Sequence, residues 1–435
     1  MRSPTHSDPL PASLDRLYSK VTWHLVPFLF IFFVVAYLDR VNVAFAKLEM
    51  LQDLGWSDSV YGLGAGMFFV GYFIFEVPSN LILYRMGARR WLACMMIVWG
   101  VLSSAMMFIT TPAEFYSLRF AIGLAEAGFF PGIIFYLSMW VPKRRRGKIT
   151  ALFMTAIAIS NVVGGPLSGW IMRRFHGVYD MDGWQWLFLL EGLPSVALGV
   201  LALCVLDDSI RSAKWLTEGE KDVLDQQLAL EEDHKAHLSL WETLSHPRVW
   251  LLSLIYFFLI MGLYGVLFWL PQLIKDTGVK DIFHVGLLTA IPYFLACGAM
   301  VWMGRHSDHS GERRQHIAWC TVAGCVGLTL SGLHGNSLPL VLISLTLATA
   351  GILSALPVFW SLPTEFLGGT AAAAGIGLIN SIGNLAGCVS PFMIGAITQA
   401  TGKTALGLYV VAGSLTIGGG LVMLFVKPHA SSHKT

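Results

Sequence analysis

The chain has 435 residues, 55% of them hydrophobic and 13% charged, with a net charge of +2 and a mean hydropathy of +0.63. A soluble chain of this length would be far more charged, so a water-soluble globular fold is excluded. The basic residues fall in loops and form no single patch, so no nucleic-acid partner is expected.

Residues 1–20 are polar and rich in Pro and Ser, and form an expected N-terminal tail. No small-residue cleavage site follows the first apolar run, so no removable signal peptide is expected. A membrane span needs about 20 mostly apolar residues. Six segments qualify in a first bundle over 21–206: 23–46, 58–83, 90–110, 114–140, 149–171 and 185–206. Six more qualify in a second bundle over 248–427: 250–274, 283–303, 315–333, 338–361, 371–398 and 404–426. Between the bundles, 207–247 is hydrophilic, and residues 428–435 form a short C-terminal tail. In this linker "TEGE" (217–220) reads as a helix start, with Thr217 capping and Glu220 reaching back. The expected fold is all-α, with twelve transmembrane helices in two six-helix bundles.

Lys and Arg set the orientation. With both termini cytoplasmic, the tails, linker and loops on that side hold 21 of the 29 basic residues. The opposite loops hold Lys47, Arg173, Arg174, Lys275, Lys280 and Lys403, while Arg40 and Arg119 lie inside spans. The six cysteines all sit in apolar stretches without C-x-x-C spacing, so neither a disulfide framework nor a metal site is suggested.

The two halves look related. After span eight, "GRHSDHSGERR" (304–314) places Gly304, Asp308, Gly311, Arg313 and Arg314 at fixed spacing. A shift of 224 residues back lands on "NLILYRMGARR" (80–90), where Gly87, Arg89 and Arg90 match and Tyr84 stands in place of the Asp. Six-span repeats with a basic loop after the second span point to an alternating-access transporter. This loop motif resembles that of the major facilitator superfamily. "YLDRVNVAFA", "RFAIGLAEAGFFPG" (119–132), "WQWLFLLEGLP" (184–194), "WLTEGEK" (215–221) and "NSIGNLAG" (380–387) resemble its anion:cation symporter family. The resemblance runs from span one to span twelve. It implies a proton-coupled carrier of small organic anions in a bacterial inner membrane, acting as a monomer without cofactor. It also implies a gating role for the two loop motifs, which Tyr84 places in doubt for an Asp latch in the first half.

Asp39 and Arg40 stand side by side in span one. A charge at mid-span costs about 2.5–3.5 kcal/mol, so it needs a partner or a wet cavity. At 1.5 Å per residue, Asp39 lies about 10 Å from the far surface and Arg119, in span four, about 7 Å. Glu126 follows two turns deeper. This arithmetic puts Asp39, Arg40 and Arg119 in one layer, with an Asp39–Arg119 pair expected, and leaves Glu126 below it without a cation at its own level. A lone carboxyl in low dielectric favours its neutral form. Asp39 and Glu126 are therefore the expected proton carriers, and Arg40 and Arg119 the expected carboxylate ligands. The bland alternative for these four is a structural ion-pair network that fixes helix packing.

Spans seven to twelve contain no interior charge before Glu365. The second half can supply only neutral groups, among them Tyr256, Tyr264, Trp269, Trp360, Ser361, Asn380, Ser381 and Asn384. Tyr264, Asn380 and Asn384, with Tyr37 and Tyr72 from the first half, are the expected neutral ligands of the anion. Glu76 and Glu191 are read as gating or packing residues, and the glycines of "GLGAG" (62–66) and "GGPLSG" (164–169) as close helix contacts. Three function classes follow: a proton-coupled importer, an anion exchanger, and a membrane-embedded enzyme or channel. An exchanger of phosphate esters favours arginine from both halves, which span seven lacks. No nucleophile–base set, H-E-x-x-H pair or repeated filter sequence supports the third. Within the family, a small hydroxy-dicarboxylate such as tartrate is the favoured substrate, and an aromatic carboxylate such as phthalate or nicotinate the second.

Overall fold

A computed structural model describes residues 12–232, 245–335, 337–366 and 369–426. Residues 1–11 and 428–435 of the expected tails, residues 233–244 of the linker and the side chain of Glu365 lie outside what is described. The described residues form fifteen α-helices and no strand. The first half holds α1 (Ala12–Asp53), α2 (Asp58–Met86), α3 (Ala88–Ala105), α4 (Pro112–Glu126), α5 (Phe129–Ser138), α6 (Lys143–Phe175) and α7 (Gly183–Val205). The linker carries α8 (Glu218–Glu232). The second half holds α9 (Pro247–Asp276), α10 (Ile282–Ser310), α11 (Arg314–Leu333), α12 (Leu338–Phe366), α13 (Gly369–Asn384), α14 (Ala386–Thr401) and α15 (Thr404–Phe425). Among the described residues, twelve stretches are long and apolar enough to cross a membrane, with α4–α5 and α13–α14 each making one broken span.

The break in span four falls directly after Glu126. Ala127 leaves the helical region (ψ 128°), and Gly128 turns the chain at φ +83°, where a side chain would be strained. The start of α4 is also fixed. Thr111 Oγ1 accepts from the Glu114 amide at 3.3 Å, and Glu114 Oε2 accepts from the Thr111 amide at 3.0 Å. This capping box pins the register, and so the depth, of Arg119 and Glu126.

Helix α10 runs seven residues past the expected span end at 303. Gly304 and Asp308 are therefore helical, and the turn of the second loop motif is confined to Gly311 (φ +69°), Glu312 and Arg313. A polar final turn outside the bilayer leaves no apolar signal in the sequence. Gly87 makes the matching turn between α2 and α3 at φ +84°.

The halves meet mainly along α2 with α14, α6 with α10, and α1 with α9. At the end opposite the linker, called the far end here, backbones approach closely. A Cβ on Gly62 would sit 2.5 Å from the Pro391 carbonyl oxygen, and one on Gly286 2.2 Å from that of Gly165. Small residues permit such contacts between helices in a bilayer, where packing rather than water exclusion drives association. The glycine runs are thus close helix contacts, as expected, and they join the two halves. Arg173 reaches Asp281 at 2.9 Å at the same end.

At the linker end, called the tail end, Thr217 and Glu220 form the expected capping box, with Glu220 Oε2 accepting from the Thr217 amide at 2.8 Å. Lys20 of α1 binds Glu220 at 2.8 Å and docks the linker helix on the first bundle. Lys20 first, then the Thr217 amide, holds the Glu220 carboxyl below the usual range.

Candidate functional site

A small cavity of about 70 Å³, below the range usual for open small-molecule sites, lies between the two bundles. Its polar lining includes Tyr37 and Arg40 from α1, Tyr72 from α2, Glu126 from α4, Tyr256 and Tyr264 from α9, and Asn380 and Asn384 from α13. Phe33, Phe129, Phe130 and Trp360 supply aromatic wall. Six of the expected ligands, Tyr37, Arg40, Tyr72, Tyr264, Asn380 and Asn384, thus meet in one place with the expected proton carrier Glu126. Tyr264 donates to Asn384 Oδ1 at 3.2 Å, and Tyr256 stacks on Phe359 at 4.9 Å. The charge of the wall comes from the first half and the neutral polar groups mostly from the second.

The ion pairing differs from the expected layers. Arg40 donates to Glu126, so Glu126 has a cation after all. Positions counted along the backbone ignore the reach of an arginine side chain, which spans the step between the two layers. The Arg40 guanidinium also lies 4.8 Å from the Tyr37 ring centre, 5.2 Å from that of Phe68 and 5.7 Å from that of Tyr72. Aromatic faces attract a guanidinium and hold its plane.

Asp39 does not line the cavity. It lies about 100° around α1 from Arg40 and points back into the first bundle. There it accepts from Ser103 Oγ at 2.5 Å, Ser195 Oγ at 2.9 Å and Asn42 Nδ2 at 3.2 Å. Among the described residues no ion pair joins it to Arg119. The expected Asp39–Arg119 pair is replaced by three neutral donors. Ser103 and Ser195 were not singled out in the sequence, although hydroxyls inside apolar spans are the signal that could have found them.

Arg119 is fully buried (1% exposed) and lies 5.0 Å from the Phe68 ring centre. Its Nε and Nη2 have no hydrogen-bond partner among the described residues. Phe68 therefore stands against both guanidiniums, Arg40 and Arg119. Arg119 adds positive charge behind the cavity wall without lining it.

Lys47, expected in a far-side loop, is buried (3% exposed). Its ammonium sits 3.4 Å from the Trp269 ring centre across the bundle boundary and 2.8 Å from Asp58 Oδ1, an ion pair whose angle falls short of a hydrogen bond. Lys275 donates to the Leu48 carbonyl beside it. Trp269 thus belongs to the far-end closure and not to the cavity.

In the loop motifs, Arg89 donates to the Leu203 carbonyl and to Asp208 at 3.3 Å, tying the α2–α3 turn to the end of α7. Arg90 is exposed. Arg313 binds Asp308 at 2.7 Å and Ser307 Oγ at 3.0 Å, and Arg314 opens α11. The Arg89 contacts join the first bundle to the first linker residues, and the Asp308 and Ser307 contacts of Arg313 lie within the second bundle. Glu191 accepts from Ser168 at 2.7 Å, a contact between α6 and α7. No group of three His, Cys, Asp or Glu is placed to hold a metal ion among the described residues.

Comparison with known proteins bears on this site. The family model of the Major Facilitator Superfamily matches residues 29–391. The "Putative metabolite transport protein NicT" of Pseudomonas putida is 48% identical over 96% of each chain. A "Putative tartrate transporter" of Agrobacterium vitis is 49% identical over 92% of this chain and 93% of its own. Among solved structures, the partially occluded, inward-open xylose transporter XylE from E. coli superposes with a TM-score of 0.73 at 15% identity, over 95% of this chain and 99% of that one.

Proposed function

This chain belongs to the Major Facilitator Superfamily and is a multi-pass membrane transporter, not an enzyme, and from that premise we propose that it carries a small organic acid anion by proton-coupled symport. The observation that supports the coupling is the Arg40–Glu126 pair. Arg40 is the cation that faces the cavity, and Glu126 occupies it. A substrate carboxylate needs the same guanidinium, whose planar fork suits it. Displacing Glu126 leaves a buried carboxylate without its cation, a cost of about 3–5 kcal/mol. Taking up a proton removes that cost, so anion and proton bind together. Asp39 holds a second carboxyl next to this pair on α1, where three neutral hydroxyl and amide donors bond it.

The substrate reading rests on two grounds. The relative of Agrobacterium vitis supports a tartrate-like hydroxy-dicarboxylate, which the Tyr and Asn groups of the wall can meet with several hydrogen bonds. The aromatic faces of Phe33, Phe130 and Trp360 favour an aromatic carboxylate as the second reading. The excess of Lys and Arg at the tail end supports cytoplasmic termini, and the bacterial relatives support an inner membrane.

Uptake of a panel of labelled organic acids into proteoliposomes, with and without an acid-outside gradient, tests the proposal. Concentrative uptake of one acid that collapses with the gradient is expected. Uptake that depends only on trapped counter-anion would replace symport by exchange.

A further inference from the structure

A third buried carboxyl joins the two bundles. Glu76 on α2 is 4% exposed. It accepts from Ser381 Oγ at 2.6 Å and from Asn380 Nδ2 at 3.1 Å, both on α13 of the second bundle. Glu76 lies one turn beyond Tyr72 towards the tail end, and Asn380 one turn before Asn384 in the same direction. Tyr72, Asn380 and Asn384 all line the cavity. The bridge thus sits at the tail-end side of the cavity, where the bundles must part for anything to leave by that end.

Its surroundings are specific. The titratable side chains facing it are Tyr72 on its own helix and Tyr256 on α9. Arg40 and Glu126 group around Tyr72, one turn away. No ion pair to Glu76 occurs among the described residues, and α3, α4, α5 and α14 bring no charge against it. Both donors are neutral. As a carboxylate, Glu76 accepts both bonds at full strength, because hydrogen bonds to a charged group are about twice as strong as neutral ones. As a carboxylic acid it keeps one strong acceptor and must place its own O–H.

We propose that Glu76 is a proton-linked tail-end gate, in which the carboxylate holds α2 to α13 and its protonation lets them part. The inference rests on the reading that the two bundles alternate access with proton coupling. The proton comes from water admitted to the cavity while the far end is open. It leaves to water at the tail end once the bundles separate, and the recharged carboxylate draws α13 back. A charged, unloaded carrier therefore keeps its tail end shut, and a protonated one opens it. This is the order that inward symport requires. Glu76 is a gating residue in this scheme and need not touch the anion.

Hydrogen–deuterium exchange of the full-length protein in lipid nanodiscs tests the gate. The readout is exchange over residues 375–384, corrected for intrinsic rate, at pH 5.5 and pH 8. Loss of one charged hydrogen bond corresponds to about tenfold in opening. Wild type is expected to exchange about tenfold faster at pH 5.5. Glu76→Gln, which fixes the neutral state, is expected to exchange fast at both pH values, with α11 unchanged as the control for folding. Ser381→Ala removes one bond and should raise exchange at pH 8 several-fold. Retention of the full wild-type pH dependence by Glu76→Gln, or no change in Ser381→Ala, overturns the proposal. A wild type without pH dependence also overturns it. Gradient-driven uptake by the same purified protein reconstituted in liposomes then shows whether coupling itself stands.

Discussion

Glu126→Gln removes the carboxylate from Arg40 with almost no change in shape. The pair it breaks is buried, with side-chain exposures of 11% for Arg40 and 3% for Glu126. Removing one partner of such a pair costs about 3–5 kcal/mol, or roughly two to three and a half orders of magnitude in an equilibrium constant. In the wild type the anion must meet this cost at high pH, where Glu126 competes for Arg40. At low pH the proton meets it. Linkage of one proton limits the slope to about tenfold in Kd per pH unit. The wild type should therefore bind its anion more tightly as pH falls, with a slope approaching that limit. In Glu126→Gln the competitor is gone at every pH. Affinity at pH 8 should rise by at least an order of magnitude, and the slope should flatten. Titration calorimetry of the purified protein between pH 5.5 and pH 8 measures both. Transport should change in the complementary way, with gradient-driven accumulation lost and counterflow retained. A Glu126→Gln variant that keeps the wild-type slope would refute the competition argument.

Other outcomes follow from the same geometry. Arg119→Lys keeps the charge but loses the guanidinium 5.0 Å from the Phe68 ring centre, so transport should fall about tenfold or more, and wild-type rate and affinity would show that the guanidinium of Arg119 plays no part in transport. Lys47→Gln removes a desolvated cation–π contact to Trp269 worth about 2 kcal/mol, so backbone exchange at the far-end start of α2 and the far-end turns of α9 should rise roughly 30-fold, and unchanged exchange would show that Lys47 does not help close that end. Glu220 is held below its usual value by Lys20 and the Thr217 amide. Its contribution to linker docking is therefore present above the unfolded value, near 4.3, and lost as pH falls through the lower folded value. Proteolysis of the linker near residue 214 should accelerate only in strongly acidic buffer, and Lys20→Ala should move that onset upward.

The membrane spans were legible because a bilayer demands contiguous apolar residues and allows few exceptions. Helix ends were less so. Gly304 and Asp308 are helical because polar turns continue α10 beyond the apolar run, where hydropathy carries no signal. The charged residues stand out as a set, since a charge inside a span needs a reason. Their pairing does not, because depth along a helix says nothing of azimuth. Asp39 faces α3 and α7 while Arg40 faces the cavity, although they are adjacent in sequence. The partner of Glu126 was missed because side-chain reach was left out of the arithmetic. Lys47 was taken for a loop residue because the apolar run ends just before it, yet α1 continues and buries it against Trp269. The Glu76 bridge joins residues 304 positions apart, a pairing that a single sequence does not encode in any local pattern.

The central claim is that anion and proton move together. Purified protein can be reconstituted into liposomes holding a trapped pH-sensitive dye, with equal pH on both sides and the membrane potential clamped. Adding the transported anion outside should then acidify the lumen, because each anion brings a proton with it. Glu126→Gln should abolish that acidification. Entry of labelled anion without any change in luminal pH would contradict the account.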